Sequence, residues 1–233
     1  MKTVIVYGIE HKGCTYNVIN LLKKHLNINE SDLTEYFLPK DMPHFCIGCN
    51  NCFAKGEEFC PHQEVITPIK NALLNADLLI FTSPVYVRHV TGQMKAFLDH
   101  FAFQFMVHRP NKEMFSKTAF IVSIGTGAGM NSTINEIKIS LKWWGISKIF
   151  KFGYGINVLT WDEISNKNKL KIENKIKKVS TKIKSNINKF KIGLYTKGIF
   201  YICRYIQKKL ALTFYDKEYW EKHGWLGKNR PWK

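Results

Sequence analysis

Four of the chain's six cysteines fall in residues 46–60, CIGCNNCFAKGEEFC, with the spacing C-x2-C-x2-C-x7-C. Thiolates ligate iron-sulfur clusters, and close-set cysteines on one loop can wrap a cubane from several sides. Cys46, Cys49, Cys52 and Cys60 supply the four ligands that such a cluster needs. Four thiolates equally suit a tetrahedral zinc ion. The plain alternative is a loop of reduced thiols, and the long gap before Cys60 favours it. Where thiols are kept reduced, a dense cysteine group points to metal or redox chemistry rather than to disulfides.

Three further stretches carry residue types suited to holding a ligand. Residues 8–17, GIEHKGCTYN, join an apolar run to a helical pattern. Free backbone N–H groups and the helix dipole there favour an anion, with Lys12 and Thr15 adding a charge and a hydroxyl. Residues 82–87, TSPVYV, form a tight turn that could aim the N–H groups of Val85 and Tyr86 at a planar ligand. Residues 125–130, GTGAGM, alternate three glycines, and a backbone without side chains can approach a ligand closely. Their spacing is G-x-G-x-G and follows a fourth strand, which excludes the dinucleotide fingerprint. No G-x-S-x-G or H-E-x-x-H motif points to hydrolysis. The eight histidines are scattered, and His11, His44, His62 and His100 fall near the expected site edge without a partner set by spacing.

The elements that must position these loops alternate. TVIVYG, DLTEYFL, ADLLIFTSP, KTAFIVSIG and KIFKFGYGI read as five strands. Between them lie helical patterns at residues 15–26, 63–75, 91–105 and 131–144, the last with Asn131 as the expected N-cap. A long lysine-rich helix is expected over residues 162–190. The order predicts an α/β protein with a parallel sheet covered on both faces. Five strands suit the doubly wound flavodoxin-like order 2-1-3-4-5, whose ligands bind at the carboxyl ends of the strands. The loops after strands 1, 3 and 4 then share one edge.

These residues carry a resemblance. The turn SPVY followed by TGQMKAFLDH, and CIGCNNC after strand 2, resemble the NADPH-dependent FMN reductase and iron-sulfur flavoprotein branch of the flavodoxin-like superfamily, over roughly residues 1–160. The resemblance implies FMN, with its phosphate at Lys12, Thr15, Tyr16 and Asn17. Its ring would lie on Pro84, Val85 and Tyr86, with Gly125, Thr126 and Gly127 along the edge. It implies an oxidoreductase passing electrons from reduced nicotinamide, NAD(P)H, to the flavin and on to a quinone, another small acceptor or a redox protein. The alternatives are an iron-sulfur flavoprotein that only carries electrons, and an interaction module without cofactor. Where the family has a Ser-Pro-Arg stretch, this chain has Ile9, Glu10 and His11, and an inward Glu10 would repel a phosphate.

Composition bounds the rest. The 233 residues, 45% of them hydrophobic, suffice for one domain with an appendage. Only five apolar residues precede the first glycine, so export is not expected and a cytoplasmic protein is. No apolar run reaches the length of a membrane span. The formal charge of +17 is uneven: residues 1–163 hold 16 Lys/Arg against 14 Asp/Glu, and residues 164–233 hold 19 against 4. The division expected is a flavodoxin-like domain over residues 1–192 and a basic, aromatic-rich extension over residues 193–233. In the extension a helix is expected at residues 198–212. Along the helix before it, apolar residues recur at Leu170, Ile172, Ile176, Val179, Ile183, Ile187 and Phe190. The tail is expected to pack within a homo-oligomer. A cationic amphipathic segment would also suit an anionic membrane surface, and nothing in it is a nucleic-acid motif.

Overall fold

The computed structural model describes residues 1–187, 189, 191–210 and 212–233. Five strands, β1 (Thr3–Tyr7), β2 (Leu33–Phe37), β3 (Leu78–Thr82), β4 (Thr118–Gly125) and β5 (Lys148–Gly155), form one parallel sheet in the order β2-β1-β3-β4-β5. β1, β3 and β4 are buried along their whole length, which is why they read as continuous apolar runs. β5 is an edge strand, partly exposed, and it tolerates Lys148 and Lys151.

Helices α1 (Cys14–Leu26), α3 (Gln63–Asn75), α4 (Gly92–His100), α5 (Met130–Trp143) and α6 (Asn166–Lys184) flank the sheet. Two hydrophobic clusters occupy its two faces. Ile5, Ile19, Phe120 and Ile176 lie in one, and Val6, Phe81, Phe97 and Trp144 in the other. The lysine-rich α6 buries Ile172, Ile176 and Ile183, while Leu170 points to solvent and Phe190 lies outside the described residues.

Several boundaries differ from those expected. α4 stops at His100, and a 3-10 turn takes over at Ala102–Gln104. α5 begins at Met130 with Gly129 as its N-cap at φ 106°, a left-handed conformation that excludes Asn131 from the role and favours glycine. α6 is capped by Ser165, whose side chain accepts from the N–H of Asn168. The cysteine segment contains a short helix, α2 (Asn51–Ala54).

The extension folds into α7 (Leu194–Lys209) and α8 (Phe214–Lys222). α7 starts before the expected residue 198 and ends before 212, and α8 was not expected as a helix. Together they build a third hydrophobic cluster in which Phe200, Cys203, Trp220 and Trp225 meet Met106 and Phe115 of the preceding chain. Among the described residues no helix is long and apolar enough to cross a membrane.

Candidate functional site

The carboxyl ends of β1, β3 and β4 carry the loops that enclose a cavity of about 310 Å³. Gly8 and Thr91 join two of these loops. The Gly8 N–H donates to the Thr82 carbonyl at 2.7 Å, and the buried Thr91 hydroxyl donates to the Gly8 carbonyl at 2.6 Å. The same hydroxyl accepts from the N–H of Met94 and so caps α4. A Cβ on Gly8 would fall 2.8 Å from the Thr82 oxygen, so the loops after β1 and β3 meet only through a glycine.

The polar lining residues include those beside the start of α1. Gly13, His11 and Thr15 line the cavity there. α1 begins at Gly13 without a side-chain cap and without an acidic residue in its first turn. The helix start thus lies at the lining residues Gly13, Cys14 and Thr15 with no side chain capping it, and the dipole favours an anion there. Glu10 is exposed and is not part of the lining, so it does not place a carboxylate against that anion. The lining from β4 and the loop after β5 is aliphatic, with Ile124, Ile156, Val158 and Leu159. Cys14 also lines the cavity, and burial pushes its thiol pKa up.

The turn after β3 closes one wall. Val85 donates its N–H to the Ile124 carbonyl at 3.0 Å. Tyr86 and His89 exchange N–H···O bonds at 3.0 and 2.9 Å. The N–H groups expected to reach a planar ligand are thus already satisfied by the protein, and what this turn offers is the surface of Pro84, Val85 and Tyr86. Residues 86–89 make a two-residue hairpin with Val87 at φ 48° and Arg88 at φ 69°. That turn type normally takes Asn-Gly, and a β-branched residue held left-handed is strained. Gly125 is required opposite it, since a Cβ there would lie 2.8 Å from Val85 Cγ2.

Six of the ten residues expected to contact the cofactor line this cavity: Thr15, Pro84, Val85, Tyr86, Gly125 and Thr126. The other four do not. The Lys12 ammonium lies over the Tyr16 and Phe37 rings, at 5.3 and 5.7 Å from their centroids. Tyr16 packs against Tyr7, and Asn17 donates to the Gly13 carbonyl. Gly127 lines a neighbouring cavity with Arg88 and Lys151. The sequence reading missed the loop after β5. Its signal was available, because a parallel sheet brings every strand's carboxyl end to one edge.

None of Cys46, Cys49, Cys52 and Cys60 lines the cavity. Residues 43–50 are exposed and irregular, with Gly48 at φ 66° allowing the bend between Cys46 and Cys49. Cys46 and Cys49 are exposed, Cys52 and Cys60 half-buried. The four are close enough to influence one another electrostatically. Burial, then Cys60 and Cys46, pushes the Cys52 thiol up to about 11, against an opposing pull from Arg109. Burial also raises Cys60. Among the described residues no three His, Cys, Asp or Glu are set to hold a metal ion.

The surroundings of Cys52 were not legible beforehand. Arg109, 4% exposed, donates to the Cys52 carbonyl and to Asp216 of α8 at 2.5 Å. Asp216, wholly buried, also bonds His108 at 2.8 Å. Close by, His62 Nδ1 lies 2.9 Å from His100 Nε2, and His44 stacks on His62. His100 Nδ1 donates to the Ala96 carbonyl, which makes its Nε2 the acceptor for His62. Among the described residues no hydrogen bond, ion pair or ring contact joins the cysteine segment to the cavity lining.

Comparison with known proteins bears on both places. The sequence model of a family described as NADPH-dependent FMN reductase matches residues 1–155. The chain is 28% identical over 161 residues to an iron-sulfur flavoprotein of Archaeoglobus fulgidus, covering 67% of this chain and 70% of that one. It is 29% identical over 187 residues to an iron-sulfur flavoprotein of Clostridioides difficile, covering 77% and 76%. Among solved structures, an FMN-dependent NADH-azoreductase from Bacillus anthracis in complex with FMN superposes with a TM-score of 0.57 at 10% identity, covering 78% of this chain and 99% of that one. That likeness is one of fold.

Proposed function

The chain belongs to the NADPH-dependent FMN reductase family, and we propose that its FMN occupies the cavity between the loops after β1, β3, β4 and β5. The protein is an NAD(P)H-dependent flavin oxidoreductase. The observation that carries the placement is the mixed lining of the cavity, with an uncapped helix start and the Thr15 hydroxyl from the loop after β1 and aliphatic side chains from β4 and the loop after β5. FMN is mixed in the same way, with a phosphate at one end and a flat ring at the other.

Bound there, FMN supplies hydride acceptance and stepwise electron release. The protein's part is to bind and orient. The α1 N–H groups and Thr15 hold the phosphate. Pro84, Val85 and Tyr86 give the ring a wall, and Gly125 and Thr126 let the backbone run along its edge. Ile156, Val158 and Leu159 keep water from its apolar side. Tyr86, 47% exposed, leaves the mouth open to a reduced nicotinamide and then to an acceptor. The acceptor we favour is a small molecule such as a quinone, because the mouth lies at an open sheet edge.

Reconstitution followed by titration tests this reading. Flavin fluorescence should fall on addition of apoprotein, and Tyr86→Ala should weaken the effect. Flavin fluorescence unchanged at micromolar protein would overturn it. Stopped-flow mixing with NADPH and NADH then reports reduction of bound FMN, which should outpace that of free FMN.

A second redox centre is favoured by the donor set at Cys46, Cys49, Cys52 and Cys60. Four thiols match the chemistry of an iron-sulfur cluster, and two relatives are named iron-sulfur flavoproteins. The irregular segment 43–50 would have to close over Cys52 and Cys60 for the thiols to converge. Iron and sulfide analysis after anaerobic purification tests it, with near-stoichiometric iron lost in Cys49→Ser as the expected result. Protein without iron after anaerobic reconstitution would leave a loop of reduced thiols. We also propose that residues 1–192 form the flavin domain and residues 193–233 the extension, and that the protein works as a homo-oligomer in the cytoplasm.

A further inference from the structure

α7 has two apolar faces where a helix packed on a domain needs one. Thr196, Phe200, Cys203 and Gln207 form the buried face. The opposite face carries Leu194, Ile202 and Tyr205, exposed by 86%, 61% and 64%. Leu212 and Phe214 continue the apolar surface past the end of the helix, Phe214 at 83% exposure. Lys197, Lys208 and Lys209 flank this surface. Exposed large apolar side chains grouped in this way mark an interaction surface rather than ordinary scatter.

Charge selects the partner. Residues 174–215 contain eleven Lys/Arg and no Asp or Glu. A twofold dimer through this face would bring together two copies of the same lysine-rich segment, with no carboxylate from either to offset the charge. A nucleic acid would match the charge but leave Leu194, Ile202 and Phe214 against phosphates and water. An anionic lipid surface matches both: the aliphatic and aromatic side chains enter the acyl boundary while the lysines meet headgroups. The same segment cannot cross the bilayer, since no described helix is long and apolar enough.

We propose that the outward face of α7, with Leu212 and Phe214, docks the protein on an anionic membrane surface. The interaction is peripheral and salt-sensitive. Docking rests on the extension alone and does not depend on which cofactor the domain holds.

Sedimentation of the full-length protein with vesicles tests it. Phosphatidylcholine vesicles should leave the protein in the supernatant, and vesicles enriched in phosphatidylglycerol should carry it down. Lys208→Glu/Lys209→Glu should weaken that binding by about tenfold or more, and Ile202→Glu/Phe214→Glu should abolish it. All four positions are exposed, so both variants should keep the parent's melting temperature. No binding to phosphatidylglycerol vesicles at low salt would overturn the proposal, as would equal binding by parent and both variants. It would also fall if Ile202→Glu/Phe214→Glu halved the mass in solution while the parent ignored vesicles, since a second copy would then own the face. Binding of duplex DNA in place of vesicles, retained by that variant, would refute it too.

Discussion

The Asp216 carboxylate of the C-terminal helix lies 2.5 Å from the Arg109 guanidinium, both are sealed from water, and the same guanidinium donates to the carbonyl of Cys52. The extension therefore holds the cysteine segment through a buried ion pair. Tyr215, one residue before Asp216, lies against the guanidinium, 4.7 Å from ring centroid to its carbon.

Without Asp216, Arg109 keeps only the longer contact to Glu57 at 3.4 Å as a carboxylate partner among the described residues, so Asp216→Ala should lower the unfolding free energy by about 3 kcal/mol, the low end of the range for breaking a buried pair. Asp216→Asn should cost less, since the amide oxygen still accepts. Denaturant melts of the three proteins check this. A loss near that of an exposed pair, under about 1 kcal/mol, would show that the pair is not sealed.

Thr15→Val should weaken FMN binding by about tenfold or more, the worth of a hydrogen bond to a charged group. Riboflavin, which lacks the phosphate, should bind parent and variant alike. Parallel titrations with the two flavins separate loss of the phosphate contact from general damage to the cavity, which would weaken both.

Gly8→Ala should destabilise the protein by about 1–3 kcal/mol, the usual range for overpacking. Its Cβ would meet the Thr82 carbonyl at 2.8 Å and the Thr91 hydroxyl at 2.9 Å, and neither can withdraw without breaking a hydrogen bond. Thermal melting and flavin titration should report the loss together, because the same contact joins two of the loops that line the cavity.

In metal-free protein, alkylation of Cys52 should rise with a midpoint near pH 11, where burial has moved its thiol from an ordinary value of 9.0. The sign follows from the neutral form being the one the fold favours. This contribution to stability is full below about pH 9 and is lost as pH rises through about 11. Mass mapping after iodoacetamide treatment across that range checks it. Half-labelling of Cys52 below pH 9 would mean that the residue is open to water.

Much of this was readable from residue types. β1, β3 and β4 announced themselves as apolar runs because both of their faces are covered. The loops after them were identifiable as site loops because strand order fixes which edge they share. Thr15, Pro84 and Gly125 line the cavity, as expected of them. Lys12, Tyr16 and Asn17 lie outside the lining, because local packing competes for the same groups: Lys12 turns to aromatic rings and Asn17 to a carbonyl one turn back. Val85 and Tyr86 spend their N–H groups on β4 and on a hairpin, which no short motif reveals. The Asp216–Arg109 pair spans 107 positions of sequence, and neither residue stands in a pattern that names the other.

The third hydrophobic cluster bears on the history the chain can have. Met106 and Phe115 belong to the part that resembles other flavin reductases, yet they are covered by Phe200, Trp220 and Trp225 of the extension. A lineage that lost residues 193–233 in one event would expose these side chains and leave Arg109 with Glu57 as its one carboxylate partner among the described residues. Deletion would be tolerated only after polar replacements at Met106, Phe115 and Arg109, each of which is harmful while the extension is present. The extension, once acquired, thus acts as a ratchet: easy to elaborate and hard to discard.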